Sequence, residues 1–362
     1  MSMRFRFRDI DWLLLGLAIT IAVIGVVEIY SATEHSALQG QYKKQIYWLI
    51  LSIVLALVIS RLDYHFLLQQ TPWLYVLCVL VLGELLVAGH AIARTKRWMR
   101  FGGLTFQVSE VVKLVIILSV AAYFAERRSK TATWGDLVKL GLLAGVPAIL
   151  VALEPDLGTA LTFVAIVGAG ILLAGVRWQQ VAILILMAVL ALPAGWHFLR
   201  PYQRNRIMTY VHPSQDTQGT SYQVTQTKIA IGSGGLWGKG IGNGTQSRLG
   251  FIPVSHADSI FAAHAEEQGF IGTLFVLLLY FVLLLRLLDG AQMAPDRAGA
   301  FLLVGLASVL FFQVAVNTGM MIGLFPVTGI PLPLMSQGGS SLLFVFLGLG
   351  VAMSVRARRF VN

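Results

Sequence analysis

Residues 270–288 read FIGTLFVLLLYFVLLLRLL, nineteen positions of which Arg286 alone is charged. At 1.5 Å of rise per residue such a helix is about 29 Å long, close to the thickness of a bilayer's hydrocarbon core. It is apolar on every face, so it reads as a membrane span. Working outward, the same pattern recurs at residues 12–30, 46–60, 72–90, 109–124, 137–153, 157–174, 178–199, 301–322 and 341–355. These ten runs predict an all-α, polytopic membrane protein of about ten transmembrane helices. No repeat of fixed period and no soluble-domain linker divides it, so residues 1–362 read as one integral membrane domain.

Composition agrees. The chain is 57% hydrophobic and 12% charged, with a mean hydropathy of +0.76, whereas an ordinary soluble domain is roughly 25% charged. That excludes a water-soluble enzyme. The 27 Lys and Arg behind the net charge of +10 fall in short clusters between apolar runs rather than along one face. They argue for membrane topology and against nucleic acid as a partner. Cys78, the one cysteine, allows no intrachain disulfide. Arg4, Arg6 and Arg8 precede an apolar run too long for a signal peptide and followed by many others, which predicts an uncleaved first span.

An even number of spans puts both termini on one side. Placing them in the cytoplasm leaves fourteen Lys and Arg in short cytoplasmic segments, six in short outer loops and six in a long outer loop over residues 200–268. The short-loop excess favours that orientation. Arg94, Lys96, Arg97 and Arg100 work against it, which points to an anionic ligand at the outer surface; loose contact with lipid headgroups is the alternative.

Charges inside the apolar runs are costly and mark candidate sites. Glu110 and Lys113, three apart, share one helix face and can pair with each other or with a third group. Glu84 is expected to face the bundle. Glu154, Pro155, Asp156, Leu157 and Gly158 form a tight hairpin in which Asp156 suits a helix cap.

The long outer loop carries the densest polar chemistry: Arg200, Arg204 and Arg206, then a Gly-rich stretch at 232–244, then Phe251, Ile252, Pro253, Val254, Ser255, His256, Ala257 and Asp258. The glycines match no nucleotide motif and read as a flexible, close-approach loop. Ser255, His256 and Asp258 are too close in sequence to converge as a hydrolase triad. His256, Asp258, His264, Glu266 and Glu267 offer zinc ligands without the usual helical spacing; a hard divalent cation held by Asp258 and a phosphate suits the residues better. Residues 317–341 hold prolines and glycines that break any helix. Broken backbone at membrane depth is tolerated where it lines a cavity or is buried in protein, so a re-entrant segment before the last helix is expected.

Seven strings in this order resemble one family: Arg97 and Trp98; Gln107, Ser109, Glu110 and Lys113; residues 155–158; 230–250; 251–262; Glu266 and Gly269; and 317–341. They are similar to the SEDS proteins (shape, elongation, division and sporulation), polytopic glycosyltransferases that polymerise the lipid-linked precursor of peptidoglycan. Gly319, Met320 and residues 326–333 look more like the elongation branch, RodA, than the division branch, FtsW. Val108, Ala257, Ser259 and Gln337 depart from the family pattern, and none of the four removes a charge.

The resemblance implies lipid II as substrate, polymerised at the outer face of the bacterial cytoplasmic (inner) membrane during cell elongation. Asp258 matches the family's essential aspartate and is expected to be the general base; Glu110 and Lys113 match its charged pair, with Lys113 orienting Asp258 or neutralising charge around it. Arg97, Arg100, Arg204 and Arg206 are expected to hold pyrophosphate, and Lys239, Ser336 and Ser340 to complete the substrate-binding set. Mg2+ or Mn2+ at Asp258 is the one cofactor expected, with no organic cofactor. The implied partners are a class B penicillin-binding protein, lipid II with the nascent glycan, and membrane lipid. The apolar stretches 270–280 and 301–312 are places for a partner's helix. Two other readings stand beside this one: a flippase for the same lipid, and a noncatalytic scaffold of the cell-wall machinery.

Overall fold

Each apolar run forms a helix in the computed structural model, which describes residues 10–34, 38–88, 98–101, 104–127, 131–211, 219–252 and 254–358. The helices are α1 (Trp12–Thr33), α2 (Gln41–Arg61), α3 (Tyr64–Ala88), α4 (Val108–Ala125), α5 (Trp134–Leu153), α6 (Leu157–Ala174), α7 (Trp178–Phe198), α8 (Pro201–Val211), α9 (Thr220–Ser233), α10 (Thr245–Arg248), α11 (Ile260–Gln292), α12 (Arg297–Ile322) and α13 (Gly339–Ala357). Among the described residues nine helices are long and apolar enough to cross a membrane, and α7 adds a shorter apolar segment, Trp178–Ala191. The chain is an all-α polytopic membrane protein.

Its surface is inverted relative to a soluble domain. Trp73, Leu80, Val87, Leu142, Trp178 and Leu190 are among the most exposed side chains, while Glu28, Glu110, Lys113, Glu266 and Asn317 are buried. Lipid makes the first group cheap to expose, and protein satisfies the second. The most enclosed helices are α4 and α13. Helix α13 lies along α2, where Gly350 permits the contact: a Cβ there would stand 2.7 Å from the Ala56 carbonyl oxygen. Helix α12 packs on α4, α6 and α11, and α1 on α11.

Several expectations change. Much of 200–268 is not loop: α8, α9 and α10 lie within it, and α11 begins at Ile260. These helices are too polar for a hydropathy window; α9 is amphipathic in effect, burying Ser221, Thr227 and Ala230. Residues 98–107 include a two-stranded antiparallel hairpin, β1 (Trp98–Phe101) and β2 (Leu104–Gln107), with Trp98 opposite Gln107. Glu84 is exposed on α3 rather than facing the bundle. Most of 301–312 is core, with Phe301, Leu302, Leu303, Leu306, Val309 and Leu310 buried, so it offers little to a partner; Phe270, Ile271, Leu274 and Phe275 on α11 are exposed.

The Gly-rich stretch has a definite task. Helix α11 breaks at Gly269 (φ +67°, ψ −165°), which frees backbone groups on either side. Lys239 N and Gly240 N donate to the carbonyls of Glu266 (3.1 Å) and Glu267 (2.9 Å), and Phe270 N donates to Gly235 O (2.9 Å). The glycines give the close approach expected of them, but as a hydrogen-bonded splint across a broken helix rather than a free loop. The segment between α12 and α13 has little regular structure, yet Val327, Ile330, Leu332, Leu334 and Met335 in it are buried. It is broken backbone enclosed in protein, as its prolines and glycines predict.

At the other end of the bundle the helices are tied together by ion pairs. Asp11 caps α1 through Leu14 N (3.2 Å) and accepts from Arg286 of α11 (3.0 Å) and Arg356 of α13 (2.6 Å).

Candidate active site

Asp258 sits in the turn just ahead of α11 and is partly exposed. Its backbone is fixed from three directions. Buried Asn317 of α12 uses its amide nitrogen twice, donating to the carbonyls of Asp258 (2.9 Å) and Ile330 (2.8 Å). Ser336 donates to Ala257 O (2.7 Å) while accepting from Leu332 N (2.8 Å), and Gln337 N donates to His256 O (3.0 Å). From α9, Gln223 Nε2 donates to Ser259 Oγ (3.1 Å). Two residues in these segments adopt left-handed backbone, Val254 (φ +53°) and Leu334 (φ +70°). Such conformations cost about 1–3 kcal/mol each and persist where surrounding contacts over-determine them. Burial pushes the neighbouring His256 imidazole below its ordinary pKa, which favours the neutral form.

Gly329 brings a cation to this turn. It has φ +75°, and a Cβ there would stand 3.4 Å from Asp258 Oδ2 and 3.8 Å from Arg206 Nη1. The carboxylate and the guanidinium therefore lie within about 7 Å of each other, both facing Gly329. Arg206 is on α8, one of the helices inside the segment read as a loop.

Glu110 and Lys113 form a buried pair (Nζ to Oε2, 2.7 Å) in the first turns of α4, at the same end of the bundle as Asp258. The Lys113 ammonium also lies over the Phe344 ring, 4.4 Å from its centroid. Glu110 is the hydrogen-bond partner of Lys113 among the described residues, while Asn317, Ser336 and Gln337 hold the backbone of the Asp258 turn. Beside this pair, Gln107 links three elements. Its Nε2 donates to Asp156 Oδ2 (2.7 Å) and Ser109 Oγ (3.0 Å), and its backbone N donates to Ser340 Oγ (2.8 Å). Asp156 also caps α6 through Thr159 N (3.2 Å), as its position after Pro155 suggests.

The other candidates separate. Arg97 lies outside the described residues; Arg100 lies in β1 with its side chain likewise outside them. Arg204 turns back toward α7, donating to His197 O (2.8 Å) and lying 6.0 Å from the Trp196 ring centroid. Lys239 is engaged by Glu266 (2.7 Å) and Thr245 (2.8 Å). Ser336 and Ser340 are buried and bonded to backbone. All three are hydrogen-bonded within the chain.

Nor do the metal candidates converge. His264 pairs with Glu28 (2.7 Å), Glu266 serves Lys239 and the amides of Gln246 (3.0 Å) and Ser247 (3.2 Å), and Glu267 accepts from Ser31 (2.5 Å). Among the described residues no group of three or more His, Cys, Asp or Glu could hold a metal ion, which overturns the zinc cluster. A Mg2+-type ion held by Asp258 and substrate phosphate needs no such cluster.

Sequence reading missed Asn317 and Gln223 as residues that hold the site. For Asn317 a signal existed: an amide inside the otherwise apolar run 301–322 must find polar partners.

Comparison with known proteins agrees with this architecture. Residues 11–360 match the family model of the FtsW, RodA and SpoVE cell cycle proteins. The chain belongs to that family, the SEDS membrane proteins. It is 36% identical to peptidoglycan glycosyltransferase MrdB of Escherichia coli K12 over 97% of this chain and 94% of that one. It is 32% identical to stage V sporulation protein E of Bacillus subtilis, covering 95% and 96%. Among solved structures, a chain from a study of the structural coordination of polymerization and crosslinking by a peptidoglycan synthase complex matches with TM-score 0.83 at 32% identity, covering 98% of this chain and 99% of that one. The crystal structure of the Thermus thermophilus rod shape determining protein RodA matches with TM-score 0.73 at 31% identity, covering 98% of each.

Proposed function

We propose that this protein is a peptidoglycan glycosyltransferase that polymerises lipid II into glycan strands at the outer face of the cytoplasmic membrane during cell elongation. The observation that carries the reading is that Asp258, on a hydrogen-bonded turn, and Arg206 both face Gly329 within about 7 Å of each other. Relatives named peptidoglycan glycosyltransferase supply the reaction class. The short-loop charge bias supports the orientation, with both termini in the cytoplasm.

A polyprenyl pyrophosphate leaves as a stable anion. Its departure needs cations rather than a carboxylic acid, unlike the leaving group in hydrolysis of a sugar–sugar bond. One carboxylate and several cations are what this end of the bundle offers. Asp258 takes the proton of the acceptor's 4-hydroxyl as that oxygen attacks the donor's anomeric carbon; the bond to the pyrophosphate oxygen breaks, and the configuration inverts. Arg206 balances the developing negative charge, with Arg97 and Arg100 as further cations. Lys113 and Glu110 keep the first turns of α4 in place beside the site. If Mg2+ or Mn2+ binds, Asp258 together with substrate phosphate would hold it, and it would add positive charge at the leaving group. A class B penicillin-binding protein is the proposed partner, in line with the synthase complex to which a structural neighbour belongs. The exposed apolar stripe of α11 is where its helix would dock.

A carrier for the same lipid would need a polar path opening to both faces. The Asp11, Arg286 and Arg356 ion pairs tie three helices together at the opposite end, which favours polymerisation. Purified protein, alone and with its partner, given lipid-linked disaccharide-peptide should yield glycan strands. The Asp258→Asn variant should yield none while melting like the parent; full activity in that variant would sink the assignment.

A further inference from the structure

We propose that Gln45 of α2 is a positioning residue for Asp258, acting through one peptide unit of the segment between α12 and α13; this rests on the glycosyl-transfer reading above. Gln45 lies in the second turn of α2 and is 2% exposed. Both ends of its carboxamide bond to backbone 291 and 293 residues further along the chain: Nε2 donates to Ser336 O (3.1 Å), and Oε1 accepts from Gly338 N (3.1 Å). The buried hydroxyls of Thr33 and Ser60, by contrast, bond within their own helices, to Ile29 O (2.6 Å) and Leu57 O (2.8 Å). A carboxamide inside a membrane span needs polar partners, and this one finds them on a single short segment.

The bond to Ser336 O reaches the Asp258 turn in one step. That oxygen and the N–H of Gln337 belong to one planar trans peptide, so they point in opposite directions. Gln45 holds the oxygen end, and the nitrogen end donates to His256 O (3.0 Å). The carbonyls of His256, Ala257 and Asp258 each accept one donor, from Gln337, Ser336 and Asn317 in turn. Two of those three donors stand on the backbone that Gln45 fixes. Amides bonded in series also polarise one another, which strengthens the row. Without the Gln45 donor the Ser336 carbonyl loses its partner and the peptide is free to turn, taking the Gln337 N–H off His256.

Two neighbours on the same face of α2 complete the hold. Gln41, one turn earlier, accepts from Gln337 Nε2 (3.0 Å). Trp48, one turn later, lies against Gly339, where a Cβ would collide with the indole ring. Spaced at i, i+4 and i+7, these three side chains form one stripe of α2 along residues 336–339. Helix α13 begins at Gly339 and lies along α2, so the alignment continues down both helices. Gln45 bonds to backbone and not to reacting atoms, which makes it a positioning residue rather than a catalytic one.

The test uses purified full-length protein with its partner and lipid-linked disaccharide-peptide as substrate. Gln45→Met keeps the length of the side chain and removes both bonds. Per folded molecule it should lower kcat about tenfold to a hundredfold while KM stays within about twofold, because the displaced group serves the chemical step and not substrate binding. Hydrogen exchange at the Gln337 and Gly338 amides should speed up in the same variant. Gln45→Glu is the conservative rescue: the protonated acid has one donor and one acceptor, whereas the ionised form only accepts. Its kcat relative to the parent should therefore be higher at low pH than at high pH. A folded Gln45→Met that keeps the parent's kcat, or unchanged exchange at the two amides, overturns the positioning role and leaves the glycosyltransferase standing. So does an activity loss no larger than the loss of folded protein, the pattern expected of Asp11→Asn at the opposite end of the bundle. Should Gln45→Met fail to fold, Gln45→Glu decides, and a kcat relative to the parent that is the same at every pH overturns the role. A parent that polymerises nothing, alone or with its partner, sinks the polymerase reading instead.

Discussion

Asp11 and Asp258 stand at opposite ends of the bundle, each just ahead of a membrane helix, and the chain treats them in opposite ways. At Asp11 the fold grips the carboxylate: a helix amide and two guanidinium groups bond to it directly. At Asp258 the fold grips the backbone, through Asn317 on its own carbonyl and through Ser336 and Gln337 on the two residues before it. The side chain is partly exposed and faces Gly329 together with Arg206. A carboxylate surrounded by the chain's own donors is a clasp. In the proposed mechanism, one held by its backbone and partly exposed takes a proton from outside the chain.

The comparison can be broken experimentally. The largest expected effect is the loss of polymer formation in Asp258→Asn, with little change in melting temperature in detergent. If Asp258 were a second clasp, that variant would unfold instead. Next is Lys113→Met, which leaves the buried Glu110 unpaired and should cost about 3–5 kcal/mol, read as a large drop in thermal stability. Combining it with Glu110→Gln should recover much of that loss; whatever activity stays missing in the stable double variant measures a contribution beyond structure.

Asp11→Asn keeps a capping oxygen but takes one of two counter-charges from Arg286 and Arg356, which retain Asp289 at 3.3 and 3.9 Å, and should cost about 2 kcal/mol. Polymerisation by the folded fraction should be unchanged; a fall in its turnover would show that the two ends are coupled. The smallest effect belongs to Gly329→Ala, where left-handed backbone costs about 1–2 kcal/mol. Because the added methyl meets Asp258 and Arg206, turnover should fall by more than the stability loss explains, so normal turnover in a folded variant would contradict the facing of those two groups.

Much of the fold was legible because lipid imposes one rule, a run of apolar residues long enough to cross, and ten such runs can be counted. The rule is blind to short helices with mixed faces, so α8, α9 and α10 and the β hairpin were hidden within polar stretches. Site legibility split in the same way. Asp258, Glu110 and Lys113 stood out through charge, cost of burial and family resemblance. Ser336, Ser340 and Lys239 were expected in the substrate set through the resemblance, and packing adds what no sequence shows, their partners within the chain: backbone amides and carbonyls, Glu266 and Thr245. Glu84 and residues 301–312 were misplaced because hydropathy does not say which face of a span meets protein.

The sequence by itself determined that the chain spans a membrane many times, which residues must be kept from lipid, and which family's chemistry it resembles. These follow from local composition, since each apolar run meets the bilayer's demand on its own. Only the tertiary structure decided which polar groups face one another. Arg206 and Asp258 both face Gly329, and Asn317 holds the turn, because helices far apart in the chain close on the same end of the bundle. Contacts of that kind depend on packing between distant segments, and no local pattern encodes them.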